Sequence, residues 1–171
     1  MDTQAPEDDP LELLLACHDK VLRFTSLLRR LGAHTQRHGP DHQAAEAAQS
    51  ILRYFDMAAP LHHQDEEEDL FPALRVLGHP QVDATLDFLC AEHDQLEGLW
   101  RDRVRPWLQG IVARQAVPVI ADLQLFAERY EQHVALENNQ LYPHASELPV
   151  KLRAQLARHM VSRRRVQQAA A

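Results

Sequence analysis

The chain has 171 residues, and a domain of this length buries roughly two-thirds of the surface that its unfolded chain exposes. Hydrophobic residues make up 45% and charged residues 25%, which is close to average globular usage and excludes disorder as a description of the whole chain. The 25 acidic residues outnumber the 18 basic ones and give a formal net charge of -7. This balance argues against nucleic acid or an anionic membrane surface as a partner.

The N-terminal stretch, MDTQAPEDDP, is acidic and has no apolar core of a signal peptide. No later run has the length needed to span a bilayer. We therefore expect a flexible acidic N-terminus over residues 1–10 and a cytoplasmic protein. Cys17 and Cys90, the two cysteines, are too few for a disulfide framework and are expected to be buried thiols.

The first predicted element is a helix that begins after Pro10 and carries His18 on its apolar stripe. Gly32 weakens this helix, and a polar loop is expected over residues 34–41. Helical spacing continues along the rest of the chain, which has only five glycines and no clear alternating strand pattern. The pattern predicts an all-α protein.

Prolines set the expected limits of the next three helices. The second helix should bend at Pro60 and should end or change direction at Pro72. The third begins at about Pro80 and is expected to bend or stop near Pro106, and the fourth covers about 117–143. Each of the three has an apolar face that includes histidine.

A fifth, short amphipathic helix is expected over residues 146–166, packed outside the other four. Ser146 is a plausible cap and Pro149 falls in the first turn. The arginines at 163–165 are predicted to form a solvated end, and the acidic run at 65–69 is predicted to form a solvated face apart from Glu66.

One motif, His-x3-Glu-x3-Leu-aromatic-Pro, occurs twice, beginning at His62 and again at His133. Each copy follows a helix that carries a His-Asp pair, at His18 in the first half and at His93 in the second. The simplest geometry is two similar αα-hairpins related by an approximate two-fold axis.

The spacing within each motif predicts a chelate, because residues four apart lie on the same face of a helix. Four antiparallel helices would direct six groups into one interior volume: His18, His62, Glu66, His93, His133 and Glu137. Burying such groups uncompensated costs several kcal/mol for each ion, on the order of the penalty for an unpaired buried charge. Two metal ions would neutralise them, with two histidines on each metal, both glutamates bridging, and an oxo or hydroxo group completing the link. Nitrogen and oxygen donors without thiolate favour iron first, then manganese or zinc.

The register of the second helix has an alternative, because His63 and Glu67 have the same four-residue spacing. Glu66 lies four residues before the leucine of its motif, as Glu137 does, whereas Glu67 lies only three before it. We therefore interpret His63 and Glu67 as possible additional ligands or outer partners of the metal ligands. Another candidate is the tyrosine one turn before His133, Tyr130, which could donate a hydrogen bond near the site or simply pack.

This pattern resembles the hemerythrin-like family, also called the HHE cation-binding domain, from Leu11 to about Val161. The resemblance implies an up-and-down antiparallel four-helix bundle around a non-haem di-iron centre, here over residues 11–168 with the additional short C-terminal helix. Oxygen-carrying hemerythrins have a further histidine one turn after the third-helix histidine, where this chain has Glu97. Glu97 could be an additional ligand that fills the open position, or it could lie on the solvated edge. The change argues against simple reversible oxygen carriage.

Three functions are consistent with these residues. The leading hypothesis is a di-iron protein that binds or senses a small ligand, such as dioxygen, nitric oxide or peroxide, or that responds to iron itself. The second is an enzyme that consumes peroxide or nitric oxide at the same centre. The third is a metal-free helical scaffold that binds a protein partner through the fifth helix.

Overall fold

The computed structural model describes residues 9–170, which form four antiparallel helical arms and a C-terminal helix. We use the word arm for one antiparallel helical stretch of the bundle, which can contain successive helical segments of different pitch. Arm 1 is α1 (Pro10–His38); arm 2 is α2 (His42–Arg53), α3 (Ala59–Asp65) and α4 (Phe71–Arg75); arm 3 is α5 (Pro80–Leu99) and α6 (Arg105–Val112); arm 4 is α7 (Asp122–Leu136) and its 3-10 extension (Tyr142–Glu147); α8 is Val150–Ala170. The all-α bundle with an extra C-terminal helix is confirmed.

Wide π-helical turns join the α segments within arms 2, 3 and 4. They span Tyr54–Ala58, Glu66–Leu70, Trp100–Val104 and Glu137–Leu141. A proline is the second residue after each of these turns. Proline lacks an N–H and its ring collides with the carbonyl four residues earlier in a regular α-helix, so the wider turn accommodates it without ending the helix.

The sequence left two outcomes open at Pro72 and at Pro106, an end or a change of direction, and the structure shows that neither proline ends its helix. Arm 2 continues past Pro72 as far as Arg75, and arm 3 continues past Pro106 as far as Val112. In both motifs the proline thus places a π turn directly after the α-helix that carries the histidine. Each of these two turns begins at the glutamate of its motif.

Arm 1 is also longer than predicted, since α1 continues through most of the expected loop over residues 34–41 and ends at His38. Thr35 is buried within that last part of the helix. Gly39 ends α1 with a positive φ of 74°, a conformation that glycine adopts without strain. The side chain of Asp41 then caps α2 by accepting a hydrogen bond from the backbone N–H of Ala44 at 2.8 Å.

Arm 4 begins later than predicted, at Asp122 rather than near residue 117. Pro118 disfavours α geometry at the residue before it, and residues 115–120 have no regular secondary structure. The indole N–H of Trp107 donates to the carbonyl oxygen of Pro118 at 2.9 Å, which holds this connection against arm 3.

Apolar side chains form two buried clusters, one toward each end of the bundle. The first contains Ile51, Phe55, Leu96, Trp100, Phe126 and Tyr130, among others. The second contains Leu14, Leu70, Phe71, Leu86, Leu89 and Leu141, among others. Along arms 2 and 4 the motif histidine and glutamate fall between residues of the two clusters, so the core is divided by a polar layer.

The C-terminal helix α8 packs against arm 1 and against the part of arm 2 that carries the first motif. The prediction of a solvated arginine end is wrong for two of its three residues. Arg163 donates to Asp65 and to Asp69 Oδ2, the latter at 2.9 Å, and Arg164 Nη1 lies 2.5 Å from Asp65 Oδ2. Asp65 is fully buried and Asp69 is 7% exposed. The acidic face of arm 2 is therefore partly covered by α8.

The remaining predictions about the chain ends concern few described residues. Positions 1–8 of the predicted flexible N-terminus lie outside the described range, while Asp9 caps α1 by accepting from the backbone N–H of Leu11 at 3.0 Å. Among residues 9–170, no helix combines the length and the apolarity needed to cross a membrane.

Candidate metal centre

The polar layer is made by the six side chains that the repeat predicted. All six are buried, and none is more than 3% exposed: His18, His62, Glu66, His93, His133 and Glu137. Arms 1 and 3 contribute one histidine each, and arms 2 and 4 contribute one histidine and one glutamate each. The structure thus brings together residues that are up to 119 positions apart in the chain.

These side chains form two overlapping groups whose donor atoms all lie within 4.8 Å of one another. Donor group A is His18, His62, Glu66 and Glu137. Donor group B is Glu66, His93, His133 and Glu137. Each group has two imidazoles from two different arms, and both groups share the two glutamates. Each group therefore offers the imidazole nitrogens and carboxylate oxygens that can hold a cation.

The contacts between Glu137 and two of the histidines are short but lack hydrogen-bond geometry. Glu137 Oε2 lies 3.0 Å from His18 Nε2, and Glu137 Oε1 lies 3.0 Å from His133 Nε2. Nevertheless, both oxygens of Glu137 and Oε2 of Glu66 are buried without a correctly aligned hydrogen-bond donor among the described residues. Nε2 of His93 lies 3.0 Å from Nε2 of His133, a contact that is a hydrogen bond when one of the two nitrogens carries a proton. Buried carboxylate oxygens without an aligned donor fit a shared cation.

Electrostatics also fit a cation at this position. Burial holds the pKa of His62 well below its usual value, so that this imidazole is neutral, the form that binds metal. Burial also opposes a charge on His93, but the carboxylates of Glu137, Glu66 and Glu67 outweigh it and raise the pKa of His93 to about 12. Burial, followed by the nearby Glu137 carboxylate, raises the pKa of Glu66 to about 6. The neighbouring carboxylates therefore favour a proton on His93 when no cation is bound.

Each glutamate of the repeat is followed by a residue that holds a histidine of the other half. Glu67 lies next to Glu66, and its Oε1 accepts from Nδ1 of His93 at 2.6 Å. Asn138 lies next to Glu137, and its Oδ1 accepts from Nδ1 of His18 at 2.7 Å. Because Nδ1 is held in both cases, Nε2 of each ring is directed at the donor groups. Glu67 occupies the place predicted for an outer partner, whereas Asn138 was not predicted.

The aromatic residue of each motif packs on one of the same two histidines. Phe71 stacks on His93 with ring centroids 5.9 Å apart, and Tyr142 stacks on His18 at 5.0 Å. Tyr142 adds a polar contact that Phe71 cannot make, because its hydroxyl donates to Glu66 Oε1 at 2.5 Å and lies 3.0 Å from His18 Nε2. From the sequence, Tyr142 was expected only as the aromatic residue of the second motif. The difference between phenylalanine and tyrosine at equivalent positions of the two motifs was the signal that could have identified its polar role.

The remaining candidate residues lie beside donor group B. His63 is half-buried and belongs to a third cluster of possible donors with His93 and His133. Its ring stacks on His93 at 3.9 Å between centroids and 14° between planes, so the in-plane lone pairs of the two rings run nearly parallel rather than converging. The hydroxyl of Tyr130 lies 3.5 Å from Nε2 of His63, which is a weak contact. Glu97 is exposed and lies outside all of the donor groups.

A solvent-accessible cavity of about 470 Å³ adjoins donor group B. Its lining includes His63, His93, Glu97, Phe55, Leu96 and Tyr130. The cavity connects the polar layer to the surface between arms 2 and 3.

A helical bundle with this layer of four imidazoles and two carboxylates has the fold and the donor set of a hemerythrin-type cation-binding protein. The family model for the hemerythrin HHE cation binding domain matches residues 9–145, and the chain belongs to this family. A protein of Haemophilus influenzae described as uncharacterized is 33% identical over 162 residues, which cover 94% of this chain and 93% of that protein. Membership of the family implies cation binding, and donor groups A and B supply a fitting site.

Proposed function

We propose that this protein holds two iron ions in donor groups A and B and uses them to bind or sense a small ligand such as dioxygen, nitric oxide or peroxide. The observation that carries the proposal is that both glutamates belong to both groups while three of their four oxygens have no aligned hydrogen-bond donor. A shared pair of carboxylates between two sets of imidazoles is a bridging arrangement. Iron accepts this mixture of nitrogen and oxygen donors.

The protein's own groups have separable tasks in this proposal. His18 and His62 would hold one ion, and His93 and His133 would hold the other. Glu67 and Asn138, the outer partners, keep two of the rings in the binding orientation. When bound, the metal pair would supply redox change and exchangeable coordination positions, which no side chain of the layer provides.

The cavity supports entry of the ligand on the side of donor group B. One wall is apolar, with Phe55, Leu96 and Tyr130, and its inner end reaches His93 and His63. A small neutral molecule can pass such a wall without losing strong hydrogen bonds. Because Glu97 is exposed in this lining and belongs to neither donor group, it would not compete with the small ligand for an ion held by His93 and His133.

Metal counting and spectroscopy test the dinuclear centre. The full chain is reconstituted with iron under anaerobic conditions, desalted and analysed for iron per chain and for its optical spectrum after oxidation. Two irons per chain are expected, with the near-ultraviolet absorption of a bridged ferric pair. The variant His133→Ala should retain at most one iron, while His42→Ala, which removes an exposed histidine paired only with Glu46, should retain two. Fewer than one iron in the unmodified protein contradicts the proposal.

Ligand entry is tested with nitric oxide as the probe. Gln64 is an exposed cavity residue that donates to Glu68 one turn later, so Gln64→Trp should slow nitric oxide binding to the reduced protein without changing its iron content. Gln124 makes the same contact with Glu128 on arm 4 and does not line this cavity. Gln124→Trp should therefore bind at the unmodified rate. Equal rates in all three proteins would show that ligands do not enter through the cavity.

The same preparation separates a binding protein from an enzyme. Repeated additions of peroxide or nitric oxide should give one binding event per centre if the protein is a carrier or sensor. Steady consumption that His133→Ala abolishes would instead assign turnover to the centre.

A further inference from the structure

A separate histidine–carboxylate cluster lies at the surface, where the connection between arms 2 and 3 meets the end of arm 4. Nε2 of His79 lies 2.8 Å from Glu147 Oε2, and Nδ1 of His144 lies 2.6 Å from Glu147 Oε1. The two imidazole rings are 5.4 Å apart between centroids. All three residues can place one donor atom within 4.8 Å of the others.

The backbone holds these three side chains in place. His79 lies between Gly78, whose φ is 69°, and Pro80, the first residue of α5. His144 and Glu147 are three residues apart in the 3-10 segment of arm 4, a spacing that puts them on the same face. Ser146 closes the segment through a 2.8 Å hydrogen bond from its hydroxyl to the carbonyl oxygen of Pro143. The cluster is therefore built from two connected but separately fixed pieces of backbone.

We propose that His79, His144 and Glu147 form a mononuclear site for a divalent cation, with Zn²⁺ as the best match. Zinc takes imidazole nitrogen at about 2.0–2.1 Å and carboxylate oxygen at about 2.0–2.2 Å, and three protein ligands leave a fourth tetrahedral position for water. The side chains are 35–44% exposed, so water reaches that position. This site shares no residue with donor groups A and B, and it does not depend on what those groups bind.

Another histidine–carboxylate contact in the chain shows what distinguishes this cluster. His34 Nε2 lies 2.9 Å from Asp41 Oδ2, and the ring of His38 is 4.9 Å from that of His34. These three residues do not bring three donor atoms within 4.8 Å. One imidazole beside one carboxylate is an ordinary side-chain pair with two possible ligands. In the surface cluster a second imidazole contacts the other oxygen of the same carboxylate, so three possible ligands are close together.

Occupancy of the site would join the arm 2–arm 3 connection to the end of arm 4. His144 is two residues after Tyr142, whose hydroxyl contacts Glu66 and His18 in the polar layer. A bound zinc ion would therefore hold the segment that positions Tyr142, and it would stabilise the folded chain because the unfolded chain lacks the site.

The test is a comparison of zinc stoichiometry among variants of the full chain. Each protein is freed of metal with a chelator, saturated with Zn²⁺ and separated from free metal, and bound zinc per chain is counted. Because every protein is saturated, the dinuclear centre contributes equally whatever its natural metal. His79→Ala and His144→Ala should each bind one zinc fewer than the unmodified protein, and His34→Ala should bind the same number. In calorimetric titration, the binding step that is lost from both variants should be present in the unmodified protein and in His34→Ala, because each alanine removes one of the three protein ligands.

Thermal unfolding gives a second readout. Zn²⁺ should raise the unfolding midpoint of His34→Ala and of the unmodified protein by more than it raises that of His144→Ala. If an alanine variant is poorly folded by circular dichroism, His144→Gln and Glu147→Gln replace it, since both preserve size and polarity. Equal zinc counts in the unmodified protein and in the well-folded variants would refute the site.

Discussion

Glu67 and His93 form a carboxylate–imidazole pair at the edge of the metal centre, with Glu67 Oε1 2.6 Å from His93 Nδ1. The equivalent contact in the other half is between an amide and an imidazole, Asn138 and His18. A carboxylate accepts the proton on Nδ1 more strongly than an amide oxygen does. The stronger hydrogen bond makes Nε2, the nitrogen that faces the donor groups, more basic. Donor group B is therefore expected to bind its ion more strongly than donor group A.

The first prediction concerns this pair. Glu67→Gln should weaken iron binding in donor group B by about tenfold, the lower end of the effect of losing an outer partner, because a glutamine oxygen can still accept from Nδ1 of His93. Competition with a chelator of known affinity measures the change. Glu97→Gln makes the same carboxylate-to-amide change at an exposed position of the same cavity and should leave affinity unaltered. If Glu97→Gln lost metal instead, Glu97 would be a ligand after all.

A second prediction concerns Tyr142, whose hydroxyl donates to the buried Glu66. In metal-free protein Tyr142→Phe removes that hydrogen bond and should lower the free energy of unfolding by about 1–3 kcal/mol, the cost of a buried acceptor left unsatisfied. The bundle should still fold, because Phe71 fills the equivalent position of the first motif. Urea unfolding of the chelated protein gives the value.

Tyr130→Phe is the matched control for this substitution. The hydroxyl of Tyr130 makes only the 3.5 Å contact with His63, so its loss should cost less than that of Tyr142. If Tyr130→Phe lowered the free energy of unfolding more than Tyr142→Phe does, the Tyr130 hydroxyl and not the Tyr142 hydroxyl would be the more stabilising of the two.

The third prediction is that chelation destabilises the protein. Metal that binds only the folded chain contributes about 2.7 kcal/mol when its concentration is 100 times the dissociation constant. Removing it should lower the free energy of unfolding by at least about 3 kcal/mol if two ions are lost. An unchanged thermal midpoint after chelation of the isolated protein would favour the metal-free scaffold.

The fourth prediction concerns the ion pairs that join α8 to arm 2. Arg163 is 16% exposed and bonds to Asp65, which is fully buried. Arg163→Gln should destabilise the fold by about 1–3 kcal/mol, less than the full cost of an unpaired buried charge because Arg164 still contacts Asp65. Urea unfolding provides the comparison.

Arg165→Gln removes the same charge two residues later, at an exposed position. Its effect should stay within about 0.5 kcal/mol, as for most surface substitutions. Equal effects of Arg163→Gln and Arg165→Gln would mean that the arginines act through net charge and not through the contacts with Asp65.

Local patterns in the sequence were sufficient for the bundle and for the six polar core residues. The four-residue spacing of His62 with Glu66 and of His133 with Glu137 places each pair on one helix face whatever the rest of the fold. Burial of such groups needs compensation, so the same spacing also predicts a cation site. The structure brings all six residues together, while the number and identity of the ions remain predictions.

Other features depended on contacts between distant segments. Asn138 was missed because its partner, His18, is 120 residues away, and an asparagine after a glutamate has no distinctive spacing. Arg163 and the acidic residues of arm 2 were assigned to solvent because a charge run taken alone is best hydrated, yet α8 brings opposite charges together.

The turns at the prolines depend both on the local sequence and on contacts between distant segments. Their positions in the sequence determined where the α-helix could not continue with regular pitch, because a missing N–H and a ring clash act locally. Whether the chain then ended its helix or widened into a π turn depended on the packing of the neighbouring arms. A helix that continues buries Phe71, at the end of the first motif, and Leu74, just after it. The sequence by itself therefore determined that the motif histidines and glutamates face the core, because helical spacing acts locally, and the tertiary structure decided which side chains from distant segments meet them.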